Sequence, residues 1–290
     1  MIPAWVDRDQ YPFAPHALAL PAGTLSYVDE GDGPPIVMVH GTPTWSFLYR
    51  HLVKAFRPRY RCVAPDNLGF GLSDKPAGAS YRPQDQAANL AAFIDTLGLK
   101  DITLVVHDFG GPIGLSYAIE RPDNVRRLVL FNTWMWSLAG DRRYEWLGRA
   151  LGSRLGRVFY ERFGFSVNVM FRSAVADKRR YTRAVHAQYA RPLATPAERR
   201  ATWIYARELL GSSDWYDGLW RRRERIAAIP ALAIWGTRDP AFGEFLPRWR
   251  SVFERMQVLE LPRAGHAPPE ERPEEIVPVI ARFLEEEERR

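Results

Sequence analysis

The sequence predicts an α/β protein whose central sheet is mostly parallel. Short apolar runs rich in β-branched residues recur between turn residues, which is typical of strands. Helical patterns lie between several of these runs, and strands that alternate with helices favour a parallel sheet flanked by helices on both faces. Runs without a polar residue, such as 36–39, indicate strands that are buried on both faces.

Seven strands and five helices of this core can be assigned from the pattern. The predicted strands are 25–29, 36–40, 61–64, 102–107, 125–132, 231–235 and 256–261. The predicted helices are 46–56, 83–97, 110–120, 245–253 and 273–287. Pro83 supports the second helix, because proline is favoured in the first turn of a helix.

The alternation of strands and helices stops after residue 132 and resumes near residue 231. The intervening residues are rich in Arg, Trp and Tyr and show no strand alternation. We therefore expect an inserted helical cap at 133–225, between a first part of the core at 1–132 and a second part at 226–290. Sites in parallel sheets lie beyond the carboxyl ends of the strands, so a cap that leaves a strand end would cover such a site.

Composition favours a cytoplasmic protein without a cofactor. The chain of 290 residues has one cysteine, Cys62, so no intramolecular disulfide can form. Residues 1–15 match neither a signal peptide nor a membrane span, and no metal-ligand spacing occurs. The net charge of +6 is spread over stretches that also hold carboxylates, and no nucleic-acid motif accompanies it. We expect no nucleic-acid or membrane partner, and a monomer or small homo-oligomer.

The strongest chemical signal is Asp108 in the segment VVHDFGG (105–111), where a strand runs directly into a helix. This context matches the nucleophile elbow of α/β-hydrolases, a sharp turn that lifts one side chain clear of the sheet. The helix beside Asp108 directs free N–H groups and the positive end of its dipole at the turn, which favours an ionised carboxylate. Such a carboxylate can attack carbon. The alternative is an aspartate that only caps the helix.

Two later strand ends supply partners for Asp108. Asp239 follows one predicted strand and His266 follows the next, which reproduces the order nucleophile, acid and base of α/β-hydrolases. We predict that Asp239 orients His266 and that His266 activates water, because the triad needs a third group to set the imidazole tautomer.

A loop after an earlier strand completes the predicted site. The segment HGTPTW (40–45) ends a strand and precedes a helix. In this fold such a loop supplies one N–H of the oxyanion hole, and the residue after the nucleophile supplies the other. These groups would be the backbone N–H groups of Thr42 and Phe109.

Three segments resemble haloalkane dehalogenases: HGTPTWSFLYR (40–50), PDNLGFGLSDKP (65–76) and VVHDFGG (105–111). The resemblance covers nearly the whole core and is weaker in the cap. It implies a hydrolase in which Asp108 forms an ester with its substrate. Aromatic residues of the cap that face the cavity would make it apolar, so we expect a small apolar substrate. Water, the second substrate, would be activated by His266 to hydrolyse that ester.

Three positions depart from the dehalogenase pattern. Some dehalogenases carry the acid as a glutamate after the earlier strand, where this chain has Asn132. Several carry an asparagine in place of Thr42. Phe109 stands where most have a tryptophan whose indole N–H binds the departing halide, and phenylalanine lacks that donor. Candidates to supply an indole N–H from the cap are Trp134, Trp136 and Trp146.

The same triad would serve other reactions. An epoxide hydrolase would need cap tyrosines to protonate the opening oxygen, and the candidates are Tyr144, Tyr181, Tyr189 and Tyr205. The β-lactone decarboxylases of olefin biosynthesis, a related group, have a very similar HGxPTWSF segment. A binding module that keeps the fold without catalysis is a further alternative, against which the complete triad argues.

Overall fold

An eight-stranded sheet forms the centre of the computed structural model, which describes residues 2–288. The strands are β1 (Pro15–Leu20), β2 (Gly23–Glu30), β3 (Pro35–Val39), β4 (Arg61–Pro65), β5 (Ile102–Asp108), β6 (Val125–Thr133), β7 (Ala231–Gly236) and β8 (Met256–Leu261). They lie in the order β1-β2-β4-β3-β5-β6-β7-β8. The pairings of β2 with β1 and with β4 are antiparallel, and the other five are parallel. The predicted α/β class with a mostly parallel sheet is confirmed.

Helices connect most of the parallel strands. They are α1 (Arg50–Phe56), α2 (Pro83–Thr96), α3 (Gly110–Glu120), α4 (Arg142–Gly152), α5 (Arg154–Phe163), α6 (Arg172–Ala174), α7 (Arg183–Ala190), α8 (Arg200–Gly211), α9 (Ser213–Arg221), α10 (Leu246–Arg250), α11 (Pro268–Glu271) and α12 (Pro273–Glu288). A π-helical turn, Ser166–Phe171, leads directly into α6. From residue 2 to residue 288, no helix is long and apolar enough to cross a membrane.

The central strands bury both of their faces. In β3, Val37 and Val39 belong to one hydrophobic cluster, whereas Ile36 and Met38 belong to a second cluster on the opposite face. Successive side chains of a strand point to opposite faces, so a strand between two layers of helices must be apolar at every position. This explains why the run 36–39 contains no polar residue.

Three elements differ from the sequence prediction. The helix expected at 46–56 begins with a 3-10 turn, Ser46–Tyr49, and α1 starts at Arg50. β1 is an additional edge strand that pairs only with β2 and leaves much of its surface exposed. The sequence of β1 has no clear pattern of apolar residues, because an edge strand need not bury its side chains. The helix expected at 245–253 ends at Arg250 and begins with a short 3-10 turn, Gly243–Phe245.

Helices α4–α9 form an insertion between β6 and β7, and the described residues of this insertion contain no strand. Two of its helices begin at residues whose side chains accept a backbone N–H, Asp141 before α4 and Ser153 before α5. β6 extends through Thr133, the residue at which the cap was expected to start. The insertion therefore begins at the carboxyl end of a strand beside β5, which ends at Asp108.

Candidate active site

Asp108 occupies a strained turn between β5 and α3. Its φ of +54° lies in the left-handed region, which costs a non-glycine residue about 1–3 kcal/mol. The Thr133 hydroxyl donates a hydrogen bond of 2.5 Å to the Asp108 carbonyl oxygen and helps to hold this turn. A Cβ at Gly41 would lie 2.0 Å from Asp108 Oδ1, so only glycine lets the neighbouring loop approach the carboxylate this closely. The turn leaves the carboxyl group buried but facing a cavity.

The backbone N–H of Thr42 donates to Asp108 Oδ1 over 2.7 Å. The Thr42 hydroxyl is buried and has no hydrogen-bond partner in the described part of the chain. Phe109 precedes α3 and lines the cavity, and its ring packs against Trp134 and Tyr205 with centroid separations of 4.8 and 4.5 Å. The structure thus brings both residues of the predicted oxyanion hole next to Asp108.

His266 lies between the two carboxylates that the sequence analysis paired with it. Its Nε2 is 3.5 Å from Asp108 Oδ2, and its Nδ1 donates to Asp239 Oδ2 over 2.9 Å. Burial favours the neutral imidazole, but the charges of Asp239 and Asp108 and their hydrogen bonds outweigh it and raise the pKa of His266 to about 10. Burial alone would raise the pKa of Asp239, yet the His266 charge and the hydrogen bonds to its carboxylate hold that pKa below its ordinary value.

Asn132 holds Asp239 in place, a role that the sequence analysis missed. Its Nδ2 donates to Asp239 Oδ2 and to the Gly236 carbonyl oxygen, each over 2.9 Å, and its Oδ1 accepts from the Gly236 N–H over 2.8 Å. The Ala241 N–H donates to Asp239 Oδ1 over 2.8 Å. The position that carries a glutamate in some dehalogenases thus supports the acid on the adjacent strand. The only signal in the sequence was an amide at a strand end beside the triad.

Two further buried histidines have structural roles. His107 Nε2 donates to the His266 carbonyl oxygen over 2.7 Å. His40 Nδ1 donates to the Gly41 carbonyl oxygen, and its Nε2 accepts from the Asn67 N–H. Burial lowers the pKa of both imidazoles to about 4, so each remains neutral near pH 7.

A cavity of about 260 Å³ lies between the core and helices of the insertion. Asp108 and His266 are at its core side, next to Phe109 and Phe242. Its opposite wall is largely aliphatic and aromatic, and side chains that illustrate this are Leu147, Leu151, Met170, Phe171 and Leu209. Arg143, Ser166, Ser173 and Thr202 also line the cavity. The mainly apolar lining favours a small apolar occupant that meets the carboxylate and the imidazole at the core side.

The three cap tryptophans do not line this cavity. Trp146 is 74% exposed on the outer surface of α4, so it cannot replace the missing indole donor at the site. Trp136 is buried among Trp220, Phe245 and Trp249. Trp134 packs behind Phe109, and its buried Nε1 has no partner within the described residues. Buried tryptophans contribute to packing more often than to ligand binding, and the sequence pattern could not separate the two uses.

The predicted tyrosines are distributed differently. Only Tyr144 lines the cavity, and its hydroxyl donates to the Ala241 carbonyl oxygen. Tyr181 and Tyr189 pack against each other away from the cavity, and Tyr205 is buried against Phe109. Tyr160, which the sequence analysis did not select, also lines the cavity. No cluster of His, Cys, Asp and Glu suited to a metal ion occurs between residues 2 and 288.

Comparison with known proteins identifies relatives over nearly the whole chain. Residues 34–273 match the family model of the alpha/beta hydrolase fold. The chain is 37% identical over 281 residues to haloalkane dehalogenase 2 of Mycobacterium tuberculosis, covering 96% of this chain and 97% of that protein. It is 34% identical over 290 residues to a cis-3-alkyl-4-alkyloxetan-2-one decarboxylase of Shewanella oneidensis, covering 96% and 90%.

Solved structures agree with this assignment. An ancestral haloalkane dehalogenase, AncHLD2, superposes with a TM-score of 0.85 at 27% identity, covering 95% of this chain and 100% of that chain. A loop variant of haloalkane dehalogenase DbeA from Bradyrhizobium elkanii superposes with a TM-score of 0.85 at 25% identity, covering 95% and 97%. The chain therefore belongs to the α/β-hydrolase family, as a hydrolase of the haloalkane dehalogenase-like group.

Proposed function

We propose that this hydrolase acts on a small apolar substrate through an ester on Asp108, which water activated by His266 then hydrolyses. The observation that carries the proposal is the placement of Asp108 and His266 together at the core side of a mainly apolar cavity. Asp239, Thr42 and Phe109 would take the roles of orienting acid and oxyanion donors.

The first step is displacement at a substrate carbon. A carboxylate oxygen of Asp108 forms a bond to that carbon, and the bond from carbon to the leaving group breaks, with its electron pair leaving on the departing atom. No base is needed for this step. A protonated His266 between two carboxylates is compatible with it, since the imidazolium stabilises the site without taking a proton.

The second step needs a neutral imidazole. Esterification removes the negative charge of Asp108, which is one cause of the raised pKa of His266, so that pKa falls once the ester has formed. His266 can then take a proton from water while the oxygen attacks the Asp108 ester carbon. The N–H groups of Thr42 and Phe109 would hold the resulting oxyanion. The intermediate then collapses: the C–O bond to the substrate carbon's oxygen breaks, that oxygen takes the proton from the His266 imidazolium and leaves as the alcohol, and the Asp108 carboxylate is restored. Asp239 would stabilise the imidazolium that forms.

Two classes of leaving group are supported, a halide and the ring oxygen of a strained β-lactone. Likeness to haloalkane dehalogenases supports a halide, although Phe109 lacks the indole donor that most of them offer to it. Likeness to two oxetan-2-one decarboxylases, at 34% and 36% identity, supports a strained β-lactone as the second candidate. Opening of a lactone or epoxide ring would keep the leaving oxygen attached to the enzyme-bound product.

Trapping the ester tests the proposal and separates these classes. His266→Phe should form the ester but fail to hydrolyse it, so intact-protein mass should increase after incubation with the correct member of a panel of haloalkanes, epoxides, β-lactones and esters. A haloalkane would add its mass less that of the hydrogen halide, whereas a ring-opened epoxide or lactone would add its whole mass. Peptide mapping should place the addition on Asp108.

The matched control is the double variant Asp108→Ala with His266→Phe, which should gain no mass. The proposal fails if the parent enzyme turns over a panel member while His266→Phe retains none of it. It also fails if the double variant is labelled as strongly as the single one.

A further inference from the structure

Glu271 is a buried carboxylate outside the triad that joins two backbone segments. It lies at the end of α11 with none of its surface exposed. Its Oε1 accepts from the N–H groups of Gly265 and Ala267 over 3.0 and 3.3 Å, and the Gly265 N–H also reaches Oε2 over 3.1 Å. Its Oε2 accepts from those of Ala176 and Asp177 over 2.8 and 2.9 Å. One side chain therefore binds the loop around His266 and the segment that follows α6.

These bonds restrain the peptide groups on both sides of His266. The two residues that Glu271 Oε1 binds immediately precede and follow His266 in the chain. The His266 N–H donates to the Ala174 carbonyl oxygen over 3.0 Å, and its carbonyl oxygen accepts from His107. Because the backbone is held at each of these points, the Cα atom that carries the His266 imidazole has a defined position.

The second segment carries part of the cavity wall. Ser173 and Ala174 line the cavity. Ala176 and Asp177, whose N–H groups donate to Glu271 Oε2, follow Ala174 by two and three residues. The Asp177 carboxylate also accepts from Arg272 Nη1 over 2.7 Å, so the residue after Glu271 binds the same segment. Glu271 therefore holds both the loop that carries His266 and the segment that forms this part of the cavity wall.

We propose that Glu271 is a positioning residue for the water-activating step, which sets His266 at its distance from the Asp108 ester and from the wall at 173–174. The inference rests on the proposed function above. Glu271 acts through His266, since it does not line the cavity itself. Only the second step needs His266 as a base, so loss of the anchor should slow hydrolysis of the ester without slowing its formation.

Glu270 provides a matched control on the adjacent position. It is also buried, but its carboxylate binds the side chains of Arg50, over 2.6 and 2.7 Å, and Tyr189, over 2.6 Å. Its carboxylate makes none of the hydrogen bonds seen at the His266 loop in the described structure. Removing its charge should therefore lower stability without selectively slowing hydrolysis.

The experiment compares Glu271→Gln, Glu270→Gln and His266→Phe with the substrate that labels His266→Phe. Glutamine keeps the shape but offers one acceptor oxygen in place of two, so either the Ala267 N–H or the N–H groups of Ala176 and Asp177 lose their partner. A displacement of the base by about 1 Å would lower the rate of ester hydrolysis on the order of 100-fold. Rapid quenching followed by intact-mass measurement should find Glu271→Gln mostly as the ester at steady state and Glu270→Gln mostly free.

Two results would overturn the role of Glu271: free enzyme predominating in Glu271→Gln, or equal ester accumulation in Glu270→Gln. If His266→Phe itself retains no ester, the covalent mechanism fails and this inference falls with it. If His266→Phe retains ester and Glu271→Gln does not, only the role of Glu271 is lost.

A variant that keeps the charge covers the case in which Glu271→Gln does not fold. Glu271→Asp withdraws the carboxylate by one methylene, so the same bonds lengthen but no charge is lost. It should accumulate ester to a smaller extent than Glu271→Gln, and free enzyme at steady state would count against the proposal in the same way.

Discussion

The two walls of the cavity are built in different ways. On the core side, polar groups are held by several hydrogen bonds each: Asp239 accepts from His266, Asn132 and the Ala241 N–H. On the side of the insertion, Leu147 and Leu151 of α4 present aliphatic surface and can form no such bonds. Directional bonds fix a position to a fraction of an ångström, whereas apolar contacts tolerate substitution of similar volume.

This difference separates reactivity from selectivity. A change on the core wall should alter the rate of chemical steps for every substrate, because the same few atoms react each time. A change on the opposite wall should alter which substrates fit and leave the chemistry in place. Three substitutions test this contrast, two at residues that support His266 from behind the core wall and one on the opposite wall.

Asp239→Asn should have the largest effect of the three. Loss of this carboxylate removes the group that sets the imidazole tautomer, and turnover should fall on the order of 10⁴-fold. It also removes the strongest influence that raises the pKa of His266, so NMR titration should find that pKa well below the parent value of about 10. Unchanged turnover together with an unchanged pKa would contradict the assignment of Asp239 as the acid.

The same variant has a consequence for stability. A raised pKa in the folded state stabilises the protein fully below the ordinary histidine value of 6.5, and this contribution is lost as pH rises towards 10. The free energy of unfolding of the parent should therefore decline across that interval, and urea unfolding of Asp239→Asn should show a smaller decline.

Asn132→Gly should have an intermediate effect. Asn132 has a φ of +26°, so glycine removes its three hydrogen bonds without adding backbone strain. Each buried group left unpaired at Gly236 or Asp239 should cost about 1–3 kcal/mol of unfolding free energy. Turnover should fall about 10–100-fold for all substrates alike, as Asp239 loses a support. A variant that loses stability but keeps full turnover would show that Asn132 only holds the fold.

Leu151→Ala should have the smallest effect on chemistry. The smaller side chain enlarges the cavity, and the ratio of kcat/KM for longer over shorter substrates should rise about tenfold, since one or two methylenes in an apolar pocket are worth about 1–3 kcal/mol. Steady-state kinetics on a homologous series measures this ratio. Trp146→Ala, at a position 74% exposed and away from the cavity, is the control and should leave the ratio unchanged. A uniform loss of kcat in Leu151→Ala would break the contrast between the two walls.

Much of the core could be predicted because a parallel sheet has simple rules. Seven of its strands follow from apolar runs, and side chains after strand ends gather at one edge of the sheet. Asp108, Asp239 and His266 are far apart in the chain, yet their positions after strand ends indicated that they lie close together. The antiparallel edge strand β1 could not be predicted in this way, because its side chains are largely exposed and show no alternation of apolar and polar residues.

No comparable rule predicts which residues of the insertion face the cavity. Its helical character could be expected from composition, but which side chains face the cavity depends on how each helix is rotated and where it crosses its neighbours. Tyr160 of α5 faces the cavity, whereas Trp134 and Trp136, in the segment between β6 and α4, pack in the interior. An aromatic residue is equally suited to either environment, so its identity does not reveal its direction.

By itself, the sequence determined the α/β class, the order of the strand-end residues and the resemblance that led to the family, because all three depend on residue types at short range and on repeated spacing. Tertiary structure alone decided that Asn132 supports the acid from a neighbouring strand and that Glu271 joins the His266 loop to a segment about 90 residues earlier in the chain. Such contacts depend on distances of a few tenths of an ångström between segments that only the completed fold brings together.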